Sequence, residues 1–257
     1  QNPLQQQLAD AIGHHSCCHD YQLFLCSSGA EAIENALKLA SFHTNKKRII
    51  AFKNAFHGRT SAAVAATDNP KINAPLNQQQ EVTFLAFNDT LALENELKKG
   101  DVCAVIFEAI QGVGGLDEPS EAFVYDMERL CKQHEACLIA DEVQSGFGRS
   151  GTFFAYQKYK IEPHIVTMAK GMGNGFPIGG ILVHPSIEAQ YGMLGTTFGG
   201  NHLACAASIA VLEVLEQEKL QAKAQELEPY FVAQANSIPE LKKIKGRGLM
   251  LGLEFDF

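Results

Sequence analysis

The residues best suited to chemistry in this chain are one lysine, one aspartate and a turn of small residues. Lys170 ends the apolar run HIVTMAK and is followed at once by the glycine-rich GMGNGFPIGG. Burying an ammonium is costly unless something compensates it, so a lysine at the end of a buried strand needs a purpose. An amine nucleophile must spend time unprotonated, and partial burial lowers a lysine pKa in that direction, so partial burial of Lys170 is expected. Asp141 ends the run CLIAD, and an acid at the C-terminal end of a buried strand lies where open α/β sheets bind ligands. One segment separates Asp141 from Lys170, so both can reach the same sheet edge. The stretch SSGAEAIENALKLA begins at Ser27 and places Ser28, Gly29 and Ala30 between a strand and a helix. Ser28 with Glu31 fits an S-x-x-E capping box. A helix N-terminus exposes backbone N–H groups at the positive end of its dipole; this one is either a phosphate seat or an ordinary cap.

An amine, a carboxylate and an anion seat are together the three handles of pyridoxal 5′-phosphate. The lysine would engage the aldehyde, the acid would keep the pyridine nitrogen protonated, and the turn would hold the phosphate. Rival ligands are harder to place. The Asp141-Glu142 pair resembles the magnesium-binding strand of a nucleotide hydrolase, but the chain has no G-x-x-x-x-G-K-[ST] loop. None of GVGGLD, GMGNGF and GRGLMLG is a G-x-G-x-x-G, and the last precedes its strand, which weakens a dinucleotide reading. In NAFHGRT, Phe56 can stack on a flat ring and Arg59 can grip a carboxylate, though either alone is as readily structural. GTTFGGNH, with Thr196 and Thr197, is a second anion seat or a cap. HHSCCHD, at 14 to 20, has no C-x₂-C pair and its two adjacent cysteines point apart, so it reads as a polar linker and no metal is expected.

These groups need a frame to hold them. Strand-length apolar runs recur at 22–26, 48–52, 82–87, 102–107, 137–140, 164–169 and 179–183, with helical stretches at 30–42, 121–136 and 202–217. Alternating α/β elements with continuous strand hydrophobicity predict a mainly parallel sheet covered on both faces. Only about ten residues join the strand ending at 169 to that beginning at 179, too few for a parallel crossover, so this pair is expected to be antiparallel. Residues 68–80 read as a surface loop. The 257 residues are 46% hydrophobic with a net charge of -8, which offers no footprint for nucleic acid or an anionic membrane. Seven cysteines, several inside apolar runs, favour a reducing compartment, and a cytoplasmic protein is expected.

The ordered motifs SSGAEAIENALKLA, AFHGRT, FEAIQGVGG, LIADEVQSGFGRSG, TMAKGMGNGFPIGG and GTTFGGNHLACAA resemble those of the class III pyridoxal-phosphate aminotransferases, most closely the acetylornithine group. The resemblance runs through nearly the whole chain. It implies the large domain of a fold type I transferase, with a seven-stranded sheet in which one strand is antiparallel. Expected limits are an N-terminal helix and linker at 1–20, a cofactor-binding domain at 21–217, and a connecting helix leading into a shortened C-terminal domain at 218–257. By motif, the resemblance makes Lys170 the amine that links to the cofactor and then shuttles the proton. Asp141 would bind the pyridine nitrogen, Phe56 and Val143 would sandwich the ring, and Gln144 would reach the phenolic oxygen. Ser28, Gly29 and Ala30 would hold the phosphate, completed by Thr197 from the second subunit of a homodimer, with Thr196 close to the substrate. Arg59 would bind a carboxylate of the acylated ornithine. The implied reaction belongs to arginine biosynthesis: N2-acetyl- or N2-succinyl-L-ornithine gives its amine to 2-oxoglutarate, yielding a semialdehyde and L-glutamate. Other ω-amines (ornithine, 4-aminobutyrate) and a truncated, non-catalytic domain are the alternatives. Where many relatives read E-P-x-Q-G-E-G-G, this chain has EAIQGVGG, with Val113 in place of the second glutamate.

Overall fold

The computed structural model describes residues 2–188 and 190–256. Seven strands form one sheet: β1 Gln22–Cys26, β2 Arg48–Phe52, β3 Val82–Leu85, β4 Val102–Phe107, β5 Cys137–Asp141, β6 Ile165–Met168 and β7 Gly179–Val183, in the spatial order β1-β7-β6-β5-β4-β2-β3. All pairings are parallel except those of β7, which runs against both β1 and β6. The short 169–179 connection therefore does what its length requires: it reverses the chain.

The helices are α1 Pro3–Ser16, α2 Gly29–Thr44, α3 Ser61–Ala65, α4 Thr90–Leu97, α5 Glu121–Gln133, α6 His202–Gln217 and α7 Leu220–Ala235. Successive strand residues point to opposite faces, and here both faces are covered. Ile50, Phe52, Val105 and Phe107 pack with residues of α1, α4 and α5, whereas Ile49, Ala51, Ala104 and Ile106 pack with residues of α2 and α3. Two buried faces explain why these strands read as unbroken apolar runs.

Two sequence expectations need correction. The histidines of HHSCCHD are not all in a linker, because α1 runs through His14 and His15 and ends at Ser16, with Cys17 taking the left-handed conformation that stops it. GRGLMLG does not merely precede a strand. A polar strand, β8 Leu241–Arg247, runs into its first two residues and pairs antiparallel with β9 Met250–Phe255, which begins at its fifth. LKKIKGR carries no apolar run, so nothing in its composition marks it as a strand. Lys245 pairs with Asp117, and Arg247 pairs with Glu118 and donates to the Ala155 carbonyl, anchoring the hairpin to the large sheet's loops. Among the described residues, no helix is long and apolar enough to cross a membrane.

Candidate active site

The C-terminal ends of β1, β4, β5 and β6 lie on one edge of the sheet, since these strands run the same way. At that edge is a cavity of 440 Å³ lined by Ser28, Gly29, Ala30, Phe56, Arg59, Asp141, Val143, Gln144 and Lys170, together with His57 and Glu108. Nine of the sequence-expected residues thus meet in one place, although they come from four separate stretches of chain.

Asp141 is 4% exposed, and its carboxylate is held from three sides. The Val143 amide and the Thr167 hydroxyl each donate to Oδ1 at 3.0 Å, and the Nδ1 of His57 faces Oδ2 at 2.7 Å. His57 is buried, with its backbone amide bonded to Thr67 Oγ1. Burial pushes its pKa down, but the hydrogen bond and charge of Asp141, with the charge of Glu108 behind them, outweigh burial and raise it. The imidazole therefore acts as a donor toward Asp141, fixing the direction in which the carboxylate points. Glu108, directly after β4, accepts from the amides of Phe56 and Gly112. Burial raises its pKa to about 7, with the Asp141 charge adding to the rise and His57 opposing it.

Lys170 departs from expectation. It is exposed rather than partly buried, one step beyond the buried Ala169, on a 3₁₀ turn with φ 45°. That left-handed conformation is uncommon for a residue with a side chain and is held by the turn, in which the Gly173 and Asn174 amides both bond to the Lys170 carbonyl. Its Nζ donates to Gln144 Oε1 at 3.4 Å.

The capping box also differs. Ser28 is the N-cap of α2 and accepts from the Glu31 amide, but the Glu31 carboxylate bonds the amide of Ser27 rather than that of Ser28. The amides of Gly29 and Ala30 stand at the first helical positions, where no intrahelical acceptor exists. Glycine is required at this turn by close approach: a Cβ on Gly29 would lie 2.6 Å from Val143 Cγ1, and one on Gly179, where β7 starts alongside, would lie 2.5 Å from the Ser28 carbonyl oxygen.

Thr196 and Thr197 do not line this cavity. They sit in an exposed loop, where Thr196 donates to Glu31 Oε1 at 3.1 Å. Val113 is 63% exposed and also outside the cavity lining. Glu142, beside Asp141, points elsewhere. It is buried, accepts from Ser145 and from the amides of Ala155 and Tyr156, and so pins the loop after β5. His57 and Glu108 were missed by sequence reasoning. For Glu108 the signal was present, since FEAIQG puts an acid at the end of an apolar strand just as CLIAD does; His57 left no signal beyond its place beside Phe56.

A model of the class-III aminotransferase family matches residues 1–256. The chain is 40% identical over 262 residues to the acetylornithine aminotransferase of Bacillus subtilis (strain 168), covering 100% of this chain and 68% of that protein. It is 42% identical over 248 residues to the succinylornithine transaminase of Photorhabdus laumondii subsp. laumondii, covering 91% of this chain and 61% of that protein. In three dimensions it is similar to the ornithine aminotransferase of Toxoplasma gondii ME49, with a TM-score of 0.88 at 29% identity, covering 100% of this chain and 64% of that one. The chain thus spans roughly two thirds of the length of these proteins.

Proposed function

We propose, from the premise that this chain belongs to the class-III aminotransferase family, that its cavity transfers the terminal amine of an N2-acylornithine to 2-oxoglutarate. The products would be the N-acylglutamate semialdehyde and L-glutamate. The family is pyridoxal-phosphate dependent, and the residues present fit that cofactor. The observation that carries the reading is that a lysine amine, a triply held aspartate and the unpaired amides of a helix N-terminus open into one cavity. The acylornithine substrate is supported by the names of the relatives in Bacillus subtilis and Photorhabdus laumondii.

When bound, pyridoxal phosphate supplies a carbonyl that condenses with amines and a protonated ring that accepts the electrons of a breaking C–H bond. The chain's residues do the rest. Ser28, Gly29 and Ala30 would hold the phosphate with a hydroxyl and backbone N–H groups at the positive end of α2. Asp141 would bind the ring nitrogen and keep it protonated, its carboxylate held in place by His57, Thr167 and the Val143 amide. Phe56 and Val143, both lining the cavity, would cover the ring and exclude water. Lys170 Nζ, on a four-carbon stem and within reach of Gln144 Oε1, would be the group that holds and moves the substrate's proton. Arg59, at the rim with no ion-pair partner among the described residues, grips a substrate carboxylate. Thr196 and Thr197, exposed and outside their own chain's cavity, serve the cavity of a second copy, which makes the working unit a homodimer.

Covalent capture tests the reading. Incubation with pyridoxal phosphate followed by borohydride reduction is expected to label Lys170, identified by peptide mass spectrometry, and Lys170→Ala is expected to take up no label. Labelling elsewhere, or none, refutes the assignment. Turnover with N2-acetylornithine, N2-succinylornithine, ornithine and 4-aminobutyrate then ranks the substrates.

A further inference from the structure

The carboxylate of Glu31 joins two loops that have different jobs in the proposed reaction. Oε2 accepts from the Ser27 amide at 2.7 Å, immediately ahead of the phosphate turn. Oε1 accepts from the hydroxyl of Thr196 at 3.1 Å, far away in sequence, and Thr196 Oγ1 in turn accepts from the Gly199 amide at 3.1 Å. A continuous hydrogen-bonded path therefore runs from Ser27 through Glu31 and Thr196 to Gly199.

The position of the acid makes this path more than a surface contact. Glu31 stands in the first turn of α2, where the helix dipole attracts a negative charge toward the free amides of Gly29 and Ala30. A carboxylate drawn there would fill the seat and repel a phosphate. Instead one oxygen is engaged by Ser27 and the other by Thr196, so the acid holds the loop with its hydrogen bonds directed to groups other than the Gly29 and Ala30 amides. Neither tie alone would do this, because a carboxylate with one free oxygen can still swing toward the amides.

We propose that Glu31 is a positioning residue that locks the Thr196–Thr197 loop to the phosphate turn of its own chain. This rests on the reading of that turn as the cofactor's phosphate seat and of the loop as serving a second copy. In the dimer, the lock makes the seat of one subunit and the loop that completes its partner's seat move as one unit. The dimer's two sites are thereby mechanically linked through Glu31.

Two readouts test it on the whole chain. The first is hydrogen exchange at the Gly199 amide, which Thr196 protects; the second is the dissociation constant for pyridoxal phosphate, measured by titration of the protein freed of it. Losing a hydrogen bond to a charged group corresponds to about tenfold at an exposed site. Glu31→Ala is expected to speed Gly199 exchange about tenfold and to weaken pyridoxal phosphate binding by a similar factor, although it removes a negative charge beside the seat. Thr196→Val, cutting the other end, is expected to produce both changes, and Thr196→Ser to keep both wild-type values. In the Thr196→Val background, Glu31→Ala is expected to add nothing to the Gly199 rate, because the two act through one bond. Unchanged Gly199 exchange in Glu31→Ala, additive effects in the double variant, or tighter cofactor binding on loss of the charge would each overturn the proposal. If the wild-type chain binds no pyridoxal phosphate, the functional reading fails, and the Gly199 rates still decide whether the lock exists.

Discussion

Gly29→Ala puts the geometry of the phosphate turn under direct test. Gly29 is the first residue of α2, and its φ lies outside the left-handed range, so the backbone accepts alanine. On helix propensity alone the change would stabilise the chain by up to about 1 kcal/mol. Contact decides otherwise. The new methyl would sit 2.6 Å from Val143 Cγ1, 3.3 Å from Cγ2 and 3.4 Å from the Ala169 Cβ. Val143 is β-branched and stiff at χ1, so it must shift bodily rather than fold a flexible tip away. Overpacking of this kind costs about 1–3 kcal/mol, which the propensity gain partly offsets, leaving folding stability lower by about 0–2 kcal/mol. Cofactor binding suffers more, because the displaced Val143 is the residue proposed to cover one ring face. We expect the pyridoxal phosphate dissociation constant to rise about 10- to 100-fold, with a melting temperature only a few degrees lower. The check is a fluorescence or absorbance titration of protein freed of the cofactor, beside a thermal melt. In the Val143→Ala background the contact is gone, so adding Gly29→Ala should cost little affinity beyond Val143→Ala alone. Wild-type affinity in Gly29→Ala, or a full further loss when it is added to Val143→Ala, would refute the reasoning.

Asp141→Asn keeps an oxygen for Val143 and Thr167 but loses the charge that faces His57 and the proposed ring nitrogen. A unit charge at about 4 Å under an effective dielectric near 20 amounts to about 4 kcal/mol, close to three orders of magnitude in rate. Steady-state turnover should fall about thousandfold, and a loss below tenfold would remove Asp141 from its role. Glu142 predicts a pH dependence of stability: burial raises its pKa from 4.5 to about 7 against the pull of its hydrogen bonds from Ala155, Ser145 and Tyr156. The folded state therefore holds a proton that the unfolded chain has released, so the contribution is fully present below about pH 4.5 and is lost as pH rises through about 7. The span corresponds to roughly 3 kcal/mol. Urea unfolding at several pH values should show wild-type stability falling across that window, and Glu142→Gln should flatten the fall; parallel curves would count against it.

The sheet was legible because its strands are buried on both faces. Runs such as VCAVIF and RIIAF carry no polar interruption, and four of the seven predicted strand ranges match those observed at both ends. The antiparallel β7 followed from chain length alone. β8 left no apolar run of its own for the opposite reason: LKKIKGR is held by pairing with β9 and by ion pairs, neither of which leaves a hydrophobic period.

At the site, the sequence alone determined which residue types stand ready for the proposed chemistry. The residue types of Lys170 and Asp141, and the small residues at 28–30, match what an amine nucleophile, a cation partner and an anion seat require. Tertiary structure decided how those groups are tuned. The exposure of Lys170, the His57 imidazole behind Asp141, the raised pKa of Glu108 and the tie from Glu31 to Thr196 all depend on which distant segments the fold brings within a few ångströms. Electrostatics and hydrogen bonding fall off over such distances, and no spacing along the chain records them.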